Sequence, residues 1–156
     1  MELIKELEEK FQEMKKDLGF NTTLEELDEI FFLKDYFQKE RVIYNSLSRA
    51  ICGRIVDTLN SWLNFIHGLI MPNPNSMINL VESQSFNENE RQEFNKLIVK
   101  IMNYISRNTM IGVTKDKKEE AKFIDDSLVL WKELKPDFIE ILSKVRNSWE
   151  EKSKEE

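Results

Sequence analysis

The apolar residues of this chain recur with the spacing of amphipathic helices. Near the amino terminus, apolar side chains stand at Ile4, Leu7, Phe11, Met14 and Leu18. This alternation of three and four residues places them on one side of a helix. Gly19 follows, and a glycine after the last apolar position is typical of a helix end. The pattern predicts a first helix over residues 2–18.

A capping signal predicts the next helix. Thr23 with Glu26 forms a capping box, which indicates a helix start near residue 24. No proline follows until Pro72, and an unbroken helix over residues 24–71 would be about 70 Å long. A compact domain cannot contain such a rod. We therefore expect a break near residues 39–41 and a second piece over about residues 41–71.

The remaining elements are also bounded by start and stop signals. Pro72 ends the preceding helix, and the apolar residues that follow predict either a short packed helix or a tucked segment before Asn87. Asn87 with Glu90 starts the next helix. Thr114 or Asp116 then caps a helix over residues up to 134.

The last helix is expected to open at Pro136, because proline suits the first helical turn. The charged tail at residues 149–156 is expected to fray. Together these elements predict an all-α protein: a single domain over residues 1–156, built as a compact bundle of five or six helices.

One segment is unusually poor in charge. A third of all residues are charged, yet between Val42 and Val81 the only charged side chains are Arg49, Arg54 and Asp57. Charged residues are rarely buried without partners, so this segment is expected to be enclosed by neighbouring helices. It is our candidate for the central helix of the bundle.

The composition limits the classes of binding partner and the cellular location that we expect for this chain. The net charge of −6 is unfavourable for nucleic acid and for anionic membranes, which both select basic surfaces. The most apolar stretch is too short to cross a bilayer, and the amino terminus lacks the basic start and apolar run of a secretory signal. Cys52 is the only cysteine, so no internal disulfide is possible. We expect a cytoplasmic protein without a cofactor.

The candidate site is the polar side of the central helix. A helical projection gathers there Arg49, Arg54, Asp57, Asn60, Asn64 and His67. In one interpretation this side packs against another helix, and Asp57, Asn60 and Asn64 form hydrogen bonds across the contact. In the other it lines an open cleft or partner surface that binds a polar ligand.

Signals of catalysis are weak. His67 is the only histidine, which excludes a multi-histidine metal site, and Asp57 lies about 15 Å away along the same helix, too far to orient it as a base. Cys52 points to the apolar side, where a thiol keeps a high pKa. The sequence therefore favours a role other than catalysis.

One acidic pattern has an enzymatic counterpart. Glu6 and Glu9 are followed by Glu25 and Asp28, each pair with two residues between its members. This arrangement resembles the paired acidic motifs with which all-α nucleotide pyrophosphohydrolases of the MazG type hold magnesium. The resemblance covers these four residues and implies a Mg²⁺ site between two facing helices.

The functional hypothesis from the sequence is a non-enzymatic protein-interaction or scaffold module. Self-association through the amphipathic terminal helices is included, with Phe11, Phe138 and Trp149 presented to a partner. The alternatives are a Mg²⁺-dependent pyrophosphohydrolase and a helical bundle that binds a small ligand.

Overall fold

A computed structural model describes residues 2–43 and 45–155. These residues form seven α-helices and contain no β-strand, so the all-α prediction is confirmed. The helices are α1 (Glu2–Leu18), α2 (Leu24–Phe31), α3 (Leu33–Glu40), α4 (Leu47–Ile70), α5 (Met77–Gln84), α6 (Glu88–Thr114) and α7 (Lys117–Lys154).

Most helix ends follow the local signals in the sequence. Gly19 ends α1 with a φ of 73°, a left-handed conformation that glycine adopts readily. Before α2, the Thr23 hydroxyl accepts a hydrogen bond from the Glu26 N–H while the Glu26 carboxylate accepts one from the Thr23 N–H. Asn87 and Glu90 exchange the same pair of bonds before α6. The predicted capping boxes are confirmed.

One break in the structure was not predicted from the sequence. The chain leaves α2 at Phe32, which has a φ of 52° and is left-handed although it is not a glycine. Its N–H still donates to the Asp28 carbonyl oxygen, and the Asp28 carboxylate accepts a hydrogen bond from the N–H of Lys34. Asp28 thus caps the end of α2 and the start of α3 together.

The predicted break near residues 39–41 is confirmed. Helix α3 ends at Glu40, and Arg41 adopts a left-handed conformation with a φ of 59°. The following helix, however, begins at Leu47 rather than near residue 41. It ends at Ile70, two residues before Pro72, as the proline signal predicts.

The helix start predicted at Pro136 is wrong. Helix α7 continues through Pro136 and reaches Lys154. Proline lacks an N–H, so the carbonyl of Lys132, four residues earlier, loses its helical partner. Both Pro136 and Lys132 are exposed, so water can satisfy that carbonyl. A proline on the solvent side is therefore tolerated here.

The chain divides into two compact units. The first unit comprises Met1–Thr58 and Ile105–Leu130, and the second comprises Leu59–Tyr104 and Trp131–Glu156. The divisions fall within α4, α6 and α7, so each of these helices contributes residues to both units.

Each unit has an aromatic core. In the first, the rings of Phe11 and Phe20 meet edge to face with centroids 5.6 Å apart. In the second, the buried rings of Phe86 and Phe94 also meet edge to face, with centroids 4.9 Å apart, and the half-buried Trp62 and Trp131 are stacked at 4.5 Å. Both geometries are favourable for aromatic pairs. Among the described residues, no helix has the length and apolar character needed to span a membrane.

Candidate functional site

The polar side of α4 has two kinds of residue. Arg49 and Arg54 are half-buried, whereas Asp57, Asn60, Asn64 and His67 are exposed. Arg49, Arg54 and Asp57 belong to the first unit, and the other three belong to the second. The expected enclosure of this helix is therefore wrong on its polar side. The apolar side is enclosed, with Leu47, Ile51, Ile55, Leu59, Ile66 and Leu69 buried.

Arg54 stabilises the junction between α2 and α3. Its Nε donates a hydrogen bond of 2.8 Å to the carbonyl oxygen of Phe31, the last residue of α2. Its guanidinium lies over the ring of Tyr36, 5.3 Å from the centroid. The first contact satisfies a carbonyl at a helix end, and the second is a cation–π interaction. This arginine therefore has a positioning role.

Arg49 connects α4 to α6. Its Nη2 donates a 3.2 Å hydrogen bond to the carbonyl oxygen of Asn108. The same atom lies 3.1 Å from the place where a Cβ would stand at Gly112, so the guanidinium packs against a residue without a side chain. Asn108 is buried at this contact. Both arginines of the predicted site are thus engaged by backbone carbonyls of their own unit.

The exposure of Asp57, Asn60 and Asn64 contradicts the interpretation in which they cross a buried helix contact. Gly53 also has no heavy atom within 4 Å of its hypothetical Cβ, so it does not permit a close helix approach. His67 is exposed, and its side chain makes no hydrogen bond to any of the residues that the structure describes. These three residues therefore lie on an open part of the α4 surface, and the binding of a polar ligand there stays a prediction.

A shallow depression lies on the first-unit part of this surface. It has a volume of about 390 Å³ and is lined by Tyr36, Ser46, Arg49, Ala50, Gly53 and Asp57. One turn before Tyr36, Phe32 is 57% exposed in its left-handed conformation. Sequence reasoning missed Phe32 and Tyr36. The available signal was that Phe32 falls outside the apolar stripe formed by Leu24, Leu27 and Phe31.

On its buried side, α4 carries Cys52, which lies near the buried Glu120. Cys52 is fully buried, and burial, followed by the nearby Glu120 carboxylate, raises the pKa of its thiol to about 12. Glu120 is itself buried; its carboxylate accepts a 3.0 Å hydrogen bond from the Ser48 hydroxyl and pairs with Lys117 at 3.2 Å. The thiol is therefore protonated and shielded, in agreement with its predicted apolar surroundings.

The four acidic residues of the predicted metal site do not form a common site in the part of the chain that the structure describes. Glu6, Glu9 and Glu25 are exposed, and Glu6 pairs with Lys10 at 3.2 Å. Asp28 is occupied by the N–H of Lys34. Within residues 2–43 and 45–155, no group of three or more histidine, cysteine or acidic side chains is placed to hold a metal ion.

The aromatic residues expected at a partner surface lie elsewhere. Phe11 and Phe138 are buried in their units, and Trp149 is half-buried with its Nε1 donating to the Glu82 carboxylate at 3.0 Å. The prediction that these three rings face a partner is wrong, because the chain packs them itself. Comparison of the chain with protein-family models, with curated proteins and with solved structures gives no match.

Proposed function

We propose that this chain is a small cytoplasmic protein-interaction module that binds a partner protein through the α3–α4 surface, defined by Phe32, Tyr36, Ser46, Gly53 and Asp57. One observation carries the proposal: Phe32 is both exposed and left-handed. A strained residue at an exposed position suggests a use outside the fold.

The energetics of Phe32 support this role. A left-handed conformation costs an L-residue with a Cβ about 1–2 kcal/mol, and glycine or asparagine would occupy the junction at lower cost. The ring recovers little by burial, because more than half of its residue surface is exposed. A partner that covered the part of the ring that is still exposed would gain about 1–2 kcal/mol from burial of that apolar surface.

The surroundings of Phe32 resemble an interface rather than a solvated helix side. The depression beside Tyr36 offers space over Gly53, where a partner side chain can enter. Arg54 fixes the junction through the Phe31 carbonyl, so the position of Phe32 is set before binding. Pre-positioned aromatic residues beside a pocket are typical centres of binding energy.

The bundle arrangement with α4 at its centre remains part of the proposal. It is supported by the buried residues that α4 contributes to both units, Ile51 and Ile55 in the first and Leu59 and Ile66 in the second. In such an arrangement the exposed polar side of α4 would be the part of the central helix that a partner can reach.

Site-specific photo-crosslinking tests the proposal. A photoreactive phenylalanine analogue replaces Tyr36 in the full chain, expressed at its native level in the cells that encode it. The matched control carries the analogue at Gln12, an exposed position of α1 in the same unit. We expect one discrete protein adduct from position 36, none from position 12, and loss of the adduct when Phe32→Asn is added.

Asparagine accepts the left-handed conformation, so Phe32→Asn should leave the fold intact. Circular dichroism of the purified variant checks this. The proposal is wrong if position 36 yields no adduct, if both positions yield the same adducts, or if a folded Phe32→Asn variant retains the adduct in full.

A further inference from the structure

The second unit contains a groove between α6 and α7 that the proposed interaction does not use. Its volume is about 420 Å³, which lies within the range of about 300–1,000 Å³ that is usual for small-molecule sites. The floor is apolar and consists of Phe86, Phe94, Leu97 and Ile141, all of which are buried. Above this floor, every other lining residue is charged.

The lysines of the rim are already engaged. Lys96 pairs with Glu93 at 2.8 Å, and Lys100 pairs with Glu133 at 3.2 Å. Lys144 pairs with Glu90, and this contact lowers the pKa of the Glu90 carboxyl group. No lysine of the groove is therefore left to neutralise a further carboxylate.

The α7 side of the rim carries two carboxylates of a different kind. Asp137 and Glu140 line the groove and are exposed, and neither has an ion-pair or hydrogen-bond partner among the residues described. They are three residues apart on one helix, so their Cβ atoms are about 5–6 Å apart. The groove thus presents two carboxylates without an ion-pair partner beside an apolar floor, and its lining residues carry one net negative charge.

A lysine at one end of the groove indicates which kind of ligand the groove can bind. The ammonium group of Lys144 lies 5.9 Å from the centroid of the Phe86 ring while it pairs with the Glu90 carboxylate. The Lys144 side chain, which is itself an alkylammonium chain, thus contacts both an aromatic residue of the floor and a carboxylate of the rim. A second alkylammonium group would find two further carboxylates, Asp137 and Glu140, in the lining of the same groove.

We propose that this groove binds a linear aliphatic polyamine, with its methylene chain on the apolar floor and its ammonium groups paired with Asp137 and Glu140. Charge complementarity selects a cation, and the buried floor selects one with an aliphatic chain over a hydrated metal ion. Two ammonium groups are favoured over one because each carboxylate can then form an ion pair of its own. The proposal is independent of the α3–α4 surface, which belongs to the other unit.

Isothermal titration calorimetry of the full chain with spermidine tests the proposal at low ionic strength, where ion pairs are least screened. We expect saturable binding to the native protein. Asp137→Asn combined with Glu140→Gln should weaken the affinity by about tenfold, since it removes both ion pairs. Both positions are exposed, and circular dichroism verifies that the double variant is folded.

The matched control is Glu25→Gln combined with Glu29→Gln. These two residues are exposed on one side of α2 and do not line the groove between α6 and α7, and the substitutions remove the same net charge. We expect the spermidine affinity to change by less than about twofold in this variant. An equal loss of spermidine affinity in both double variants would show that an acidic protein attracts the cation non-specifically. That result would overturn the proposal.

Two further ligands separate the contributions of the methylene chain and of the ammonium groups to the affinity. n-Butylamine, with one ammonium group, should bind at least about tenfold more weakly than spermidine, and Mg²⁺ at equal charge concentration should not displace spermidine. The absence of spermidine binding, equal binding of n-butylamine, or displacement by Mg²⁺ would each contradict a polyamine site.

Discussion

Both halves of α4 carry polar residues on one side in the sequence, and these residues behave differently in the structure. In the amino-terminal half, Arg49 and Arg54 turn into the first unit and donate to the carbonyl oxygens of Asn108 and Phe31. In the carboxyl-terminal half, Asn60 and Asn64 remain exposed. A shared pattern of polar positions therefore does not imply a shared environment.

The comparison shows how side-chain length determines the outcome. A guanidinium on a long apolar stem can reach a helix end while its stem covers the neighbouring surface. An asparagine on α4 cannot reach so far, and water satisfies its amide as well as a protein partner would. We expect substitutions of the two arginines in the first half to reduce stability and substitutions of the exposed asparagines in the second half to leave it unchanged.

The largest difference is expected in the labelling rates of thiols on the two sides of α4. Because burial raises the pKa of Cys52 to about 12, its thiolate fraction at pH 8 is about a thousandfold below that of the unfolded chain. Labelling of the native protein with a thiol-reactive disulfide should be slower by at least this factor. Stopped-flow absorbance in the absence and presence of denaturant measures both rates.

The control places a thiol on the exposed side, as Asn64→Cys in a Cys52→Ala background, and should label within about tenfold of the unfolded rate. A raised native pKa also means that the stability contributed by the Cys52 thiol is complete below its ordinary pKa and is lost as the pH rises towards 12. Native labelling of Cys52 within tenfold of the unfolded rate would contradict its enclosure.

The second contrast concerns Arg54. Arg54→Ala removes the hydrogen bond to the Phe31 carbonyl and the contact with the Tyr36 ring, so we expect a loss of about 2 kcal/mol in the free energy of unfolding. The control is Arg146→Ala, which removes an exposed arginine that pairs with Glu150 and should cost at most about 0.5 kcal/mol. Urea denaturation measures both, and equal losses would show that Arg54 does not hold the junction.

The sequence predicts the elements whose ends depend on neighbouring residues. Gly19, the capping box at Thr23 and the stop before Pro72 act within a few residues, so the bounds of α1, the start of α2 and the end of α4 agree with the structure. The break at Phe32 was not predicted, because it depends in part on Arg54, 23 residues away from Phe31. Contacts between distant parts of the chain leave no periodic signal.

The candidate site was only partly predictable for the same reason. Helical projection can place these residues on one side of α4, because that grouping depends on the helix alone. It did not show that Arg49 reaches Asn108, 59 residues along the chain, or that Asp57 stays exposed. Likewise, the groove beside Asp137 and Glu140 exists only because α6 and α7 meet there in the second unit.

A third contrast tests the junction that Arg54 supports. Phe32→Asn should raise the free energy of unfolding by about 1 kcal/mol, because asparagine relieves the left-handed strain and little packing is lost at an exposed ring. The matched control is Phe31→Asn at the preceding, buried position, which should be strongly destabilising. Urea denaturation measures both variants. A loss of more than about 1 kcal/mol in Phe32→Asn would show that the ring is used within the fold.

The smallest effect is expected in the carboxyl-terminal half. Asn64→Ala removes an exposed amide, and alanine has the higher helix propensity, so the free energy of unfolding should stay within about 0.5 kcal/mol of the parent value or rise slightly. Thermal and urea denaturation of the same preparation measure the change. A loss of about 1 kcal/mol or more would mean that Asn64 is bonded across a helix contact, and the difference between the two halves of α4 would then disappear.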